Sequence, residues 1–406
     1  MERHTVLPEP HPPADAEPAE AGSGRPPAHR VPAGYMPQLD GLRAFAALLV
    51  IAHHTWVYRY VRFGHYGVGI WGVWLFFVLS GFLITGILLR ARDEAPSFDA
   101  ALRRFYSRRA VRIFPLYYAV LFLGVVLGIG TSFRQYFPWH FFYVTNWRIA
   151  VTGQWFDPEA SPLWSLAIEE QFYLVWPALV LLAPRRWLPR LFVGTACVGI
   201  LSRAVLAVTG FNDHAIATVL QPTTSNLDPL AWGALLAWSR WAAPARVDVR
   251  DRWTRRALVV GLVLLALVVA CTAIGRGDKL LLVIETLSAG LLSVWIIDRA
   301  AVGFAPTSAA GRLLLLRPIR YLGTISYGLY LLHCQVIWAT QTWFHWGLGP
   351  NATLPAALGY WLTITGLTTA VASASWFGFE GPLNRLKDRF GEARRRVPGR
   401  VVPARA

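Results

Sequence analysis

Blocks of about 20 apolar residues recur along nearly the whole 406-residue chain, separated by short polar segments. A helix of that length crosses a ~30 Å hydrocarbon layer, and a helix satisfies its own backbone polar groups where water is absent. The pattern predicts spans over 38–59, 68–89, 110–130, 163–183, 190–209, 228–243, 257–274, 280–298, 319–344 and 355–379. One further stretch, YFPWHFFYVTNW at 136–147, is aromatic but short.

Charge settles what that stretch does. Arginines cluster at 90–112, 185–190, 240–256 and 299–320, and both ends of the chain are basic. If 136–147 stays on one side, all of these segments face the same side, and the positive-inside rule makes it cytoplasmic. The expected fold is therefore an all-α polytopic integral membrane protein of the inner (plasma) membrane. It has about ten transmembrane helices, both termini cytoplasmic, and one short re-entrant or interfacial segment on the outer side. Residues 1–37 carry nine prolines and read as a disordered cytoplasmic tail. Residues 38–383 form the transmembrane unit, and 384–406 a basic cytoplasmic tail.

The composition agrees, with 55% hydrophobic and only 15% charged residues. The net charge of +16 does not point to nucleic acid, because the cations sit beside the apolar blocks. The three cysteines, Cys197, Cys271 and Cys334, each fall inside an apolar block with no metal spacing, so they read as small core residues and no metal is expected. Asp228-Pro229 reads as a helix N-cap followed by proline at the first helical position. Gly72, Ser80, Gly81 and Gly86 suit close helix packing. Oligomeric state is not legible.

Four clusters place ionisable groups inside spans, where they are costly and where function is the default expectation. LDGLRAFAALLVIAHH sets Arg43 and His54 eleven residues apart, about three helical turns, so they share a face with His54 ~16 Å deeper. The competing reading makes Arg43 an orientation anchor and His54 a core histidine bonded to a carbonyl. FYSRRAVRIFPLYY sets Arg109 and Arg112 three apart, with Arg108 four from Arg112. Guanidinium forks at one level suit phosphate oxygens, while orientation charge is the competing reading. SPLWSLAIEEQFYLVWP carries Glu169 and Glu170, and two adjacent carboxylates in an apolar span imply a polar cavity. ISYGLYLLHCQVIW places Ser326, Tyr330 and His333 on one face, lining a substrate cavity or bridging helices. Counted at ~1.5 Å per residue, His54, Glu170 and His333 reach similar depths. That is a plausible general acid–base centre inside the bilayer.

These same stretches resemble membrane acyltransferase family 3, which includes bacterial O-antigen, nodulation-factor and macrolide O-acyltransferases. LDGLRAFAALLVIAHH resembles its first-helix pattern of Arg, ten residues, then His. GVWLFFVLSGFLIT resembles its second helix, RRAVRIFPLYY its Arg-x-x-Arg element, and WSLAIEEQFYLVWP its carboxylate motif. ISYGLYLLHCQV and FEGPLNRLK resemble the closing segments. Trp74 stands where many members have Asp, so it is assigned no polar role. The chain ends soon after its last span, which resembles the stand-alone form without a C-terminal hydrolase-like domain.

The resemblance implies an acyl-CoA-dependent O-acyltransferase. Acyl-CoA, acetyl or longer, would be co-substrate, with its phosphates on Arg43, Arg108, Arg109 and Arg112. His54 would be general base, oriented by Glu170 or Glu169. The acceptor would be a hydroxyl on a small molecule or glycan, either a macrolide or other antibiotic sugar or a cell-envelope glycan. The alternative is a proton-coupled transporter or exporter using His54 and Glu170 as a relay.

Overall fold

Apolar stretches that bond their own backbone become helices, and this computed structural model is built from helices throughout, with no strand among the described residues. Those residues are 35–55, 57, 67–209, 215–242, 246–275, 279–349 and 351–385. Most of both expected tails lies outside them.

The main helices in chain order are α1 (Pro37–His54), α2 (Val68–Glu94), α3 (Phe98–Val126), α4 (Leu163–Leu182) and α5 (Leu188–Thr209). There follow α6 (Leu227–Ala242), α7 (Val247–Ala273), α8 (Lys279–Val302), α9 (Ser326–Thr342) and α10 (Leu354–Ser375). Among the described residues, seven helical stretches are long and apolar enough to cross a bilayer: those containing α2, α3, α4, α5, α7, α8 and α10. The other three expected spans do form helices. However, α6 and α9 have only 16 and 17 residues, and α1 carries Asp40, Arg43, His53 and His54 within 18.

The aromatic stretch forms no long helix. It gives short helices at Phe137–Phe141 and Thr145–Thr152, folded against one end of α3. Tyr117 and Tyr118 donate from their hydroxyls to the carbonyls of His140 (2.8 Å) and Phe141 (3.1 Å). The Tyr117 and Tyr143 rings stack with centroids 4.1 Å apart.

Helix α2 is central, packing on α1, α4, α6 and α8. Small residues set its closest approaches. A Cβ on Gly81 would collide with the Leu230 carbonyl of α6, and one on Gly233 would collide with the Val78 carbonyl of α2. A Cβ on Gly72 would likewise come too close to the Ala46 carbonyl of α1, at 2.5 Å. Gly86 does not belong to this set: a Cβ there would meet only the Arg90 side chain, at an ordinary contact distance of 3.8 Å.

Helix α7 shows the opposite face of the problem. Val259, Val263 and Leu262 are exposed, as expected of side chains that meet lipid rather than protein.

Two structural expectations change. Asp228 stands in the first turn of α6, but its fully buried carboxylate forms a two-pronged ion pair with Arg203 of α5, at 2.8 and 3.0 Å, rather than capping the helix. A carboxylate beside an arginine is more stable paired than spent on backbone amides in a medium without water. Cys197 is exposed and is not a core residue; Cys334 is buried.

Candidate active site

Three cations converge from two helices. Arg43 of α1 and Arg109 and Arg112 of α3 line one cavity of about 240 Å³, together with Ser80, Glu169, Glu170, Tyr173, Ser326 and Tyr330. The local reasons are plain. Arg109 and Arg112 are one turn apart on α3, so one face carries both. Arg43 is fixed where the last-but-one span breaks: the helix Arg317–Thr324 ends, α9 restarts at Ser326, and Arg43 Nε donates to Ser326 Oγ at 3.2 Å.

The carboxylates enter from the other wall. Ser80 donates to Glu169 Oε1, and the Tyr173 hydroxyl donates to Ser80 Oγ at 2.9 Å. Tyr173 lies one turn beyond Glu169, and the Arg109 guanidinium stands 4.1 Å over its ring. Arg109 Nε is buried without a hydrogen-bond partner among the described residues. No ion pair among the described residues joins Arg43, Arg109 or Arg112 to Glu169 or Glu170. Three unpaired guanidiniums against two carboxylates leave the cavity cationic, and a buried donor without an acceptor fits an anionic ligand.

His54 and His333 meet one another instead. His54 Nδ1 lies 3.2 Å from His333 Nε2, and their ring centroids are 4.9 Å apart. His54 Nδ1 is also 3.0 Å from the Val50 carbonyl. Neither imidazole is on the cavity lining. The link is Tyr330, which lines the cavity, bonds Ser165 through its hydroxyl, and has its ring 6.0 Å from that of His333.

Several sequence expectations resolve here. The expected pairing of His54 with Glu170 or Glu169 is absent: among the described residues no hydrogen bond or ion pair joins either glutamate to an imidazole, because α9 places His333 in that position. Arg108 is exposed and off the cavity lining, since one residue turns ~100° on a helix and only the Arg109–Arg112 face points inward. Ser326 and Tyr330 line the cavity, and His333 does not. Trp74 is fully buried, packed edge-on to Trp71.

Sequence reading assigns Ser80 and Cys334 only packing roles and does not single out Ser165 or Tyr173. Tyr173 had a usable signal, being four residues from Glu169 on one helix face. Cys334 adjoins His333 in sequence and meets its Nε2 at 3.3 Å, but the third member of the group, His54, is remote in sequence. The ligand atoms of His54, His333 and Cys334 lie within 4.8 Å of one another, a spacing that also suits one small cation.

Fold and site together define a helical membrane protein with a cationic inner chamber that also holds paired carboxylates. Residues 36–377 match the family described as "Acyltransferase domain", and the chain belongs to that family. It is 31% identical over 326 residues to peptidoglycan O-acetyltransferase OatA of Listeria monocytogenes, covering 75% of this chain and 50% of that protein. It is 32% identical over 331 residues to putative peptidoglycan O-acetyltransferase YrhL of Bacillus subtilis, covering 75% and 49%. It is 30% identical over 335 residues to O-acetyltransferase OatA of Staphylococcus aureus, covering 78% and 53%. The chain thus spans about half the length of the curated relatives it matches. No solved structure matches.

Proposed function

We propose that the protein is a membrane-bound O-acyltransferase that moves an acyl group from acyl-CoA to a hydroxyl of a cell-envelope glycan. One observation carries the reading: Arg43, Arg109 and Arg112 line a single cavity without ion-pairing to the two glutamates that share it. Such a cavity attracts the phosphates of a nucleotide-bearing thioester. The names of the relatives support acetyl as the acyl group and peptidoglycan as the acceptor; a macrolide sugar is the weaker candidate.

In this reading the phosphates sit on Arg43, Arg109 and Arg112, and the thiol arm runs along the cavity toward Tyr330. His54 takes the acceptor proton as the hydroxyl oxygen attacks the thioester carbonyl. The C–S bond breaks, and the departing thiolate takes the proton from the imidazolium, leaving an ester and free CoA. Glu169 and Glu170 contact the acceptor or the donor arm rather than the imidazole. No metal takes part.

The reading places residues 38–383 in the inner membrane as ten spans between two cytoplasmic tails. Helices at all ten positions and the one-sided arginine distribution support it.

The test is purified protein in detergent with acetyl-CoA and a glycan fragment. Thiol release with matching O-acetyl ester is expected, and His54→Ala abolishes both while leaving insertion intact. Proton-coupled flux without thioester cleavage would replace the reading with a transporter.

A further inference from the structure

An imidazole base needs its proton held on the far nitrogen, and the carboxylate that commonly does this is missing beside His54. We propose that His333 does it: the structure assigns His333 as the positioning residue that fixes the tautomer of His54. The inference rests on His54 being the base.

Hydrogen-bond logic leaves one arrangement. His333 Nδ1 lies 2.7 Å from the Tyr330 carbonyl oxygen. A carbonyl only accepts, so His333 Nδ1 carries the hydrogen. A neutral imidazole has one N–H, so the lone pair of His333 is on Nε2. That lone pair is 3.2 Å from His54 Nδ1, whose other neighbour is the Val50 carbonyl at 3.0 Å. Both neighbours are acceptors, so His54 Nδ1 is the donor and its own lone pair lies on Nε2. Cys334 Sγ, 3.3 Å from His333 Nε2, is then also a donor to it. A chain of fixed direction runs from His54 through His333 to the backbone of α9, and the nitrogen left to take a proton is His54 Nε2.

The choice of imidazole over carboxylate has a physical reason. His333 is fully buried. A carboxylate there would be a charge in a medium without water, whereas a neutral imidazole accepts the same hydrogen bond without that cost. When His54 takes a proton, its Nδ1–H bond to His333 becomes charge-assisted and shortens, so His333 stabilises the transient imidazolium.

The test combines kinetics and nitrogen NMR on the full chain with 15N-histidine labelling. Wild type is expected to carry hydrogen on His54 Nδ1 and none on Nε2. His333→Phe removes the acceptor at similar volume; it should lower kcat by ~10²–10⁴-fold, the range seen when an imidazole base loses its second-sphere partner or its tautomer, with KM for acetyl-CoA unchanged. His333→Gln keeps an acceptor oxygen and should recover most of the rate. Should His333→Phe fail to fold, His333→Gln decides, since loss of most of its rate would overturn the role; hydrogen on Nδ1 in wild type is necessary but not sufficient, because the Val50 carbonyl also accepts from that nitrogen.

The proposal falls if His54 carries its hydrogen on Nε2, or if His333→Phe has wild-type kcat. It falls equally if the purified protein holds stoichiometric zinc that Cys334→Ser releases, since the three side chains would then be metal ligands. A fully active His54→Ala would remove the base itself; an inactive His54→Ala beside an active His333→Phe would remove only the role of His333.

Discussion

Arg109 lays its guanidinium 4.1 Å over the ring of Tyr173, and the hydroxyl of that tyrosine donates to Ser80, which in turn donates to Glu169. The cation and the carboxylate are thereby held in one cavity without touching. A direct salt bridge would satisfy both and leave nothing for a ligand. The aromatic spacer keeps Arg109 oriented through its flat face and leaves its edge for an anion.

Arg109→Ala should therefore raise KM for acetyl-CoA by ~10–100-fold, the equivalent of the 1.5–3 kcal/mol that a hydrogen bond to a charged group contributes. Arg109→Lys should fall between, because lysine keeps the charge but loses the fork and the stack. Thiol release measured against donor concentration gives the answer. An unchanged KM in Arg109→Ala would take Arg109 out of the donor site.

The two glutamates should not be equivalent. Glu169 is engaged by Ser80, while Glu170 lines the cavity with no hydrogen bond among the described residues. A carboxylate with open lone pairs is the one available to a substrate hydroxyl or amide. Glu170→Gln is expected to lower kcat by ~10²-fold, the loss that follows when a substrate-positioning contact is weakened, and Glu169→Gln by less than about tenfold on the same scale. Equal effects in a steady-state assay would contradict the distinction.

What the sequence discloses and what it hides divide along one line: separation in the chain. Spacing within a helix is readable, so the Arg109–Arg112 face and the shared stripe of Ser326, Tyr330 and His333 follow from periodicity alone. Depth is readable as well, since residues climb a span at ~1.5 Å each, and counts along α1 and α9 put His54 and His333 at one level. Rotation of one helix against another is not readable. Depth counting sets Glu170 beside His54 as easily as His333, and only the packing of α9 against α1 chooses. Arg203 and Asp228 were invisible as a pair for the same reason: each sits in its own helix, and only the α5–α6 contact joins them.

That pair gives a stability prediction. Both side chains of Arg203 and Asp228 are fully buried. Removing one partner leaves an uncompensated charge, so Arg203→Leu or Asp228→Leu alone should destabilise by about 3–5 kcal/mol. Removing both should cost much less than the sum, because an apolar pair needs no compensation. Thermal unfolding of the four proteins in one detergent forms the cycle, and additive losses would show that the two residues act separately.

Asp157 carries the pH prediction, at a point outside the spans. Its carboxylate accepts from the Thr131 hydroxyl at 2.7 Å and from the backbone N–H groups of Thr131 and Ser132 at 3.0 Å each. The Thr131 hydroxyl hydrogen bond, followed by the Ser132 and backbone bonds, holds its pKa below the ordinary 3.8. A folded pKa below the unfolded one means that the tie contributes fully above the ordinary value. The contribution is lost as pH falls through the lower folded value. The Thr131 and Ser132 amides should stay protected down to the ordinary 3.8, and open only as pH falls through the lower folded value and the carboxyl takes its proton. Hydrogen exchange of the 128–135 segment, corrected for intrinsic rate at each pH, reads this directly. Asp157→Ala should show the open level at every pH, and a mutant segment as protected as wild type at neutral pH would mean that other contacts hold the turn.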